Sequence, residues 1–507
     1  MKVYDSKHRD KIDLVPLNSN EIRMYICGPT VYDDAHLGHA RSAISFDLLA
    51  RFLETRGYKV IVAKNFTDID DKLINKSFQT KTPLNELAKH YIDKYLQDME
   101  SLNVRRAHFE PRATEFLESM SNFIESLLQK DIAYRLPNGD ICLEVSKDKS
   151  YGTLSKHLDD TDSVHRVEVE EGKRDQRDFV LWKAYKGEND IGYESILGKG
   201  RPGWHIECSA MIDSVLAYKD KEFCIDIHAG GQDLFFPHHE NEASQTRCLH
   251  NKELAKYWLH NGFVTINGEK MSKSLGNSFF IKDALKVYHG EILRNYLIGT
   301  HYRSPLHFNE EDLLQSKKRL DKLYRLKKRL DYEKDSIPKF LPFSNDIESR
   351  DSINEDSIKA NEWEEFFKPY MSEILKQATK DFSEKFLESL SDDLNISLAL
   401  SVIEEFIKEA NEHLDTQPKD KAYKIKAKAN LALIDFVLGL GTLSYSEYFQ
   451  LGVSDEEKLK IETLIKERLE AKAVKDFVKA DSIRETLEGM GISIMDKSKE
   501  HTEWEKF

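Results

Sequence analysis

EIRMYICGPTVYDDAHLGHARSAISFDLLARFLETRGYKVIVAKN, residues 21–65, is the stretch on which the fold turns. Its first seven residues alternate apolar and polar, the period-two pattern of a half-buried strand. From His36 onward, Leu37, Ala40, Ile44, Leu48 and Phe52 recur at helical spacing, and Gly57 stands where such a helix would stop. YKVIVAKN (58–65) reads as a second strand. Strand, loop, helix, strand is a βαβ unit, which predicts an α/β chain on an open parallel sheet. Ligands on such sheets sit beyond the carboxyl ends of the strands. Cys27 falls at one such end and NFTDIDDK (65–72) at another.

Further along, EFCIDIHAGG (222–231) resumes the sheet. Between about 120 and 200 the alternation is only partial, as in NGDICLEV (138–145), and charged loops such as HRVEVEEGKRDQRD dominate, which reads as an insertion. From about 308 the pattern is helical. KKRLDKLYRLKKRL (317–330) is strongly basic with Leu320, Leu323 and Leu330 on one side, and such a run is first of all a solvated helix face. Residues 333–380 are acidic and read as irregular, a second helical stretch runs from about 382 to 440, and a charged module, 451–507, closes the chain.

At 507 residues the chain is too long for one core, so several domains are expected. The polar start lacks an apolar signal core, and the most apolar run, LALIDFVLGLG, is short and carries Asp435, so no membrane span is expected. Five cysteines, an odd number and widely spaced, argue for reduced thiols in a cytoplasm. A net charge of −14 argues against a general polyanion binder but leaves room for a local basic face.

Three constellations carry chemistry. In HLGH, His36 and His39 stand at the mouth of a helix, where free N–H groups and the dipole favour an anion, though capping histidines would look the same. No GxxxxGK[ST] or GxGxxG loop follows this strand. In EKMSKSLGN (269–277), Lys270 and Lys273 flank Met-Ser in a polar, glycine-bounded loop able to close over a polyphosphate, or merely an exposed basic loop. GWHIECSAM (203–211) and HAGGQDLFFPHHENE (228–242) supply Cys208, His238 and Glu242. With Cys27 these make a plausible zinc shell of S, N and O donors, His239 being the nearest competitor. Each cysteine alone would more simply be a buried small hydrophobe, the reading retained for Cys142, Cys224 and Cys248.

HLGH and KMSKS, in that order across a split parallel sheet, resemble the class I aminoacyl-tRNA synthetases. CGPTVYDDAHLGHARS, NFTDIDDK, PGWHIECSAM, DLFFPHHENEASQ and NGEKMSKSLGN together resemble the cysteinyl-tRNA synthetases. The likeness runs from about 20 to 300 and resumes in SDDLNISLAL and DFVKADSIRETLEGMGI. It implies a Rossmann-type parallel-sheet catalytic domain with a connective insertion, then an α-helical domain and a small anticodon-binding module. The expected bounds are 1–120 and 203–307 for the catalytic halves, 121–202 for the insertion, 308–450 for a helical tRNA-binding domain with an extra insertion near 333–380, and 451–507 for the last module.

The same resemblance implies ATP-dependent attachment of L-cysteine to tRNA(Cys) through a cysteinyl-adenylate, one zinc per subunit held by Cys27, Cys208, His238 and Glu242, Mg²⁺ with ATP, and a monomer in the cytoplasm. His36 and His39 are assigned to the ATP phosphates, and Lys270 and Lys273 to the pyrophosphate. Gly230, Gly231, Asp233 and Val264 are assigned to adenosine. Thr67 and Trp204 are assigned to the cysteine pocket, with core packing equally open for Trp204. The connective insertion is too short for an editing domain. The basic helix 317–330 is where the family contacts the inner tRNA stem. Asp481 and Asp496 fall at matching positions of the anticodon module, with Lys472 in place of an arginine and Phe477 in place of a tryptophan. The last module is not basic, with 11 Lys+Arg against 14 Asp+Glu. Three rivals remain: a ligase passing cysteine to a small-molecule amine, a zinc hydrolase built on HHENE, and a non-enzymatic tRNA-binding paralogue.

Overall fold

The computed structural model describes residues 1–156, 172–266, 269–270, 279–332, 368–498 and 501–506, without the side chains of 266, 269 and 270. The terminal strands β1 (Lys2–Asp5) and β2 (Asp10–Asp13) pair as an antiparallel hairpin. The period-two stretch at 21–27 forms β3 (Glu21–Ile26), and KVIVAK forms β4 (Lys59–Lys64) beside it in parallel, with Glu21 opposite Lys59 and Ile26 opposite Lys64. The helix between them runs Leu37–Thr55 and is buried along most of its length, because it lies between the sheet and later helices.

A second pair completes the sheet. β9 (Phe223–Gly231) and β10 (Glu253–Asn261) are parallel, and β9 also pairs with β3 through Met24–Ile227 and Ile26–Ala229. The strand order is β10-β9-β3-β4. The chain therefore leaves β3 towards one edge and β9 towards the other, which makes the cleft between the ends of β3 and β9 the topological switch point. Near-continuous apolar runs such as Ile225, Ile227 and Ala229 suit strands covered on both faces.

The partial alternation between 120 and 200 becomes an antiparallel sheet, β5 (Ala133–Arg135), β6 (Ile141–Leu143), β7 (Phe179–Ala184) and β8 (Gly200–Pro202), over its own core of Ile141, Leu143, Leu181 and Trp182. β11 (Val264–Ile266) pairs with β12 (Glu269–Lys270) and with β13 (Leu306–His307).

Beyond this point helices dominate: Glu310–Arg329, Lys380–Ser391, Ile396–Thr416 and Lys421–Leu438. The stretch 333–380, expected to be irregular, ends in a helix, Lys368–Gln377, because Met371 and Ile374 sit three apart and bury against the Lys421–Leu438 helix; residues 333–367 lie outside the described part. The last module packs helices Asp455–Ala473 and Phe477–Gly489 on a hairpin of β14 (Ile492–Asp496) and β15 (Thr502–Lys506). Among the described residues no helix is long and apolar enough to cross a membrane.

Candidate active site and metal centre

Cys27 follows the last residue of β3, and its N–H donates to the Ala229 carbonyl of β9, so the thiol sits in the switch-point cleft. The next residue is a steric lock. A Cβ on Gly28 would lie 1.6 Å from the Asn65 carbonyl oxygen, and the Gly28 N–H donates to Asn65 Oδ1 at 2.8 Å. The Trp204–Val215 helix carries Cys208 on its second turn. His238 lies in the short turn Phe235–His239, and Glu242 in the first turn of the Glu240–His250 helix.

These four side chains converge. The Cys27 and Cys208 sulfurs are 3.8 Å apart, Cys27 Sγ is 3.7 Å from Glu242 Oε1, Cys208 Sγ is 3.7 Å from His238 Nε2, and His238 Nε2 is 2.9 Å from Glu242 Oε1. All four are buried. A tetrahedron drawn on ordinary zinc–ligand lengths has S–S edges of about 3.8 Å and N–O edges of about 3.4 Å. The observed spacings fit it, the histidine–carboxylate edge being the short one. Among the described residues neither lysine nor arginine enters the cluster, and it contains two thiols and a carboxylate, so the donor set suits a divalent cation. Cys27 with His228, His239 and Glu242 forms an overlapping set.

Electrostatics favour a cation here. Burial opposes the charge on Glu242, yet His228 and His238 outweigh it and hold the carboxyl at about 2. Burial also pulls the His238 imidazole down, but Glu242 and Cys208 raise it to about 10. Burial, joined by Asp213 and Asp148, pushes the Cys224 and Cys248 thiols up to about 11; burial also raises the Cys27 thiol, while the contact with Cys27 and the His238 imidazole lower Cys208 to about 6.

The surrounding shell was not legible in the sequence. His228 donates to Glu242 Oε2 at 2.7 Å and stacks on Trp258; His205 shares a hydrogen bond of 2.9 Å with the far nitrogen of His238. His239, the competitor, meets His260 at 2.8 Å, and burial lowers His205 and His260 to about 3, so both are neutral. The only available hint was the histidine density of HAGGQDLFFPHHENE. Trp204 is not core: it is 41% exposed and stacks on His238 with ring centres 4.2 Å apart. Thr67 is buried beside residues 29–31 and donates to Glu207 Oε2 at 2.9 Å.

His36 caps the Leu37–Thr55 helix. Its Nδ1 accepts from the Gly38 N–H at 3.1 Å, while His39 Nδ1 accepts from the His36 N–H at 3.2 Å, and the two rings stack 3.9 Å apart. The first turn of this helix carries no carboxylate, so the positive end of its dipole is unopposed there. Gly230 and Gly231 end β9, Asp233 is exposed just beyond, and Val264 is buried in β11. Lys273 and the Lys270 side chain lie outside the described residues.

In the basic helix most charge is spent inside the protein. Lys327 donates to the Gly441 and Leu443 carbonyls, Arg319 and Lys322 face Glu404, Arg329 pairs with Asp415, and Lys328 pairs with Glu505. Asp496 is held by Arg468 at 2.8 Å and Lys472 at 2.7 Å, whereas Phe477 is 59% exposed.

Residues 13–318 match the family of tRNA synthetases class I (C), catalytic domain, and residues 385–442 match the DALR domain. The cysteine--tRNA ligase of Helicobacter hepaticus is 56% identical over 99% of both chains, and that of a Nitratiruptor species is 56% identical over the whole of both. The methionyl-tRNA synthetase of Mycobacterium tuberculosis, solved with methionyl-adenylate, shares the fold at 14% identity, with a TM-score of 0.54 over 85% of this chain and 91% of that one. The chain belongs to the cysteine--tRNA ligase family of the class I synthetases.

Proposed function

We propose that this member of the family charges tRNA(Cys) with L-cysteine in two steps through a cysteinyl-adenylate, and that a zinc held by Cys27, Cys208, His238 and Glu242 selects the substrate. The observation that carries this reading is the paired thiols, 3.8 Å apart, at the switch point between β3 and β9. Serine is nearly isosteric with cysteine, and a pocket judging size and apolarity alone discriminates by roughly tenfold to two-hundredfold. Zinc held by these four donors would take a substrate thiolate as an additional ligand far more readily than a hydroxyl.

The chain's own residues do the rest. His205 orients His238 through its far nitrogen, and His228 orients Glu242. Trp204, stacked on His238, and Thr67, bonded to Glu207, are the side chains assigned to the cysteine pocket. The cysteine carboxylate attacks the α-phosphorus of ATP and pyrophosphate leaves. A terminal ribose hydroxyl of tRNA then attacks the adenylate carbonyl and AMP leaves. His36 and His39, at the helix mouth, hold the ATP phosphates; Lys270 and Lys273 neutralise the pyrophosphate as its charge grows; Mg²⁺ accompanies the nucleotide. Gly230 and Gly231 let adenosine approach backbone, beside Asp233 and Val264. The 308–450 region and the 451–507 module hold the tRNA, the latter through stacking and base-edge contacts rather than bulk charge.

The test mixes purified protein with ATP·Mg²⁺, labelled cysteine and tRNA. Acid-precipitable, RNase-sensitive label, with serine inert, is the expected result. Cysteine-dependent ATP–pyrophosphate exchange with no label on tRNA would instead favour a ligase acting on a small amine.

A further inference from the structure

The helix Lys421–Leu438, inside the DALR match, ends against the catalytic half in an unusual way. Its final carbonyls are taken by arginines of two other helices. Arg51, on the Leu37–Thr55 helix, donates to the Phe436 carbonyl at 3.0 Å and to the Asn103 carbonyl at 2.9 Å. Arg294, on the Gly290–Ile298 helix and fully buried, donates to the Leu438 carbonyl at 2.6 Å and to the Asn103 carbonyl at 2.7 Å. Both guanidinium groups share Asp47 Oδ2, at 2.8 and 2.6 Å. Asn103 Nδ2 closes the ring on the Gly439 carbonyl at 3.2 Å. Gly439 has φ +67°, and a Cβ there would lie 2.6 Å from Arg294 Nε, so the backbone is pressed directly against the guanidinium.

The capped end of Leu84–Ser101, whose Leu102 carbonyl accepts from Arg294 at 3.2 Å, and the end of Lys421–Leu438 thus point at one buried arginine pair. Terminal carbonyls lack partners within their own helix, and cations suit the negative end of the dipole. Stability alone does not call for this arrangement. Well-packed apolar side chains often hold an interface as firmly as buried ions, whereas ions with directional bonds specify geometry. A guanidinium fork fixes angle as well as distance.

We propose that Asp47, Arg51 and Arg294 are positioning residues that set the orientation of the helical region against the helix bearing His36 and His39, and that transfer of cysteine to tRNA depends on them far more than cysteine activation does. This rests on the reading above, in which that helix serves ATP and the helical region holds tRNA. Arg51 lies 15 residues from His36 along the helix, about 22 Å of rigid rod. A tilt of about 10° at the junction displaces a point that far away by roughly 4 Å, well beyond the tolerance of about 1 Å for a reacting group. Activation uses only small substrates held within the catalytic half and does not cross the junction.

The experiment compares Arg51→Lys and Arg294→Lys with the zinc-loaded wild type, in cysteine-dependent ATP–pyrophosphate exchange and in kcat/KM for tRNA charging. Lysine keeps the charge beside Asp47 and loses the fork. Exchange within about threefold of wild type and charging down at least tenfold is the expected outcome. An unchanged charging-to-exchange ratio, whether both activities persist or both fall, overturns the proposal as mere scaffolding. Asn103→Gly, which removes the amide bond to Gly439, leaves every charge and tolerates the left-handed backbone at 103 (φ 54°), keeps the test open if a lysine variant misfolds; there a ratio lowered about threefold is expected, and an unchanged one is again decisive against it. Wild-type protein inactive in both assays would instead remove the functional reading on which the proposal stands.

Discussion

His36 poses a question that substitution can answer, because the same ring caps a helix and is assigned to ATP. Its Nδ1 accepts one backbone N–H, and His39 Nδ1 accepts another. Alanine at 36 forfeits a cap worth about 0.5–2 kcal/mol, whereas asparagine is among the best N-cap residues and keeps it. Glutamine at 39 likewise retains a reciprocal acceptor three residues into the helix. Loss of one preorganised donor to developing charge lowers a rate by about 10²–10³, or about 2.7–4 kcal/mol. His36→Asn should therefore unfold within about 0.5 kcal/mol of wild type while ATP–pyrophosphate exchange falls roughly a hundredfold. His36→Ala should show the same kinetic loss and a thermal midpoint lower by about 0.5–2 °C. His39→Gln should follow His36→Asn. Full exchange by a stable His36→Asn protein would refute the assignment and leave both histidines as caps.

Cys208→Ala should lose most bound zinc, measured by metal analysis of the dialysed protein, and with it the preference for cysteine over serine; full zinc retention would point to the overlapping set with His228 and His239. Gly28→Ala touches no proposed ligand, yet its methyl would strike the Asn65 backbone, so Cys27 must shift and zinc content should fall as well; unchanged zinc would show that the β3 end yields freely. Lys64, over the Tyr95 ring and donating to its hydroxyl, is lowered to about 8 by burial, with Glu110 and Asp47 opposing. Between that value and the ordinary 10.5 the folded state binds fewer protons than the unfolded, so stability from this group rises with pH. Denaturant midpoints for Lys64→Met and wild type should therefore shift in favour of wild type between pH 7 and pH 10, and a constant difference would contradict the burial argument.

The elements of the catalytic half were legible because each is a local period. The alternation at 21–27 is β3, the spacing of Leu37, Ala40, Ile44, Leu48 and Phe52 is the Leu37–Thr55 helix, and EFCIDIHAGG is β9. Where hydrophobic spacing was diluted by charge, as at 368–377, a helix was missed although Met371 and Ile374 anchor it. Chemical character was legible at the level of motifs: HLGH, the two cysteine-bearing stretches and HHENE are short words rich in imidazole, thiol and carboxylate groups, the residue types that suit anions and metals.

Which of those residues meet was decided only by tertiary structure. Cys27 and Cys208 are 181 positions apart, and no spacing rule connects them; they meet because β9 pairs beside β3 and returns the chain to the same cleft. His205 and Glu207 lie within GWHIECSAM and His228 opens HAGGQDLFFPHHENE, but nothing in those words singles them out; they acquire roles only as neighbours of His238, Thr67 and Glu242. The basic stretch 317–330 reads in one dimension as a solvated helix face, yet in three its Lys327 and Lys328 are taken up by carbonyls and carboxylates far along the chain. Local sequence sets what each segment forms and which chemistry it carries, because helix and strand periods are short-range. Long-range pairing sets burial, protonation and mutual distance, and those three quantities turn a cysteine into either a ligand or a piece of core.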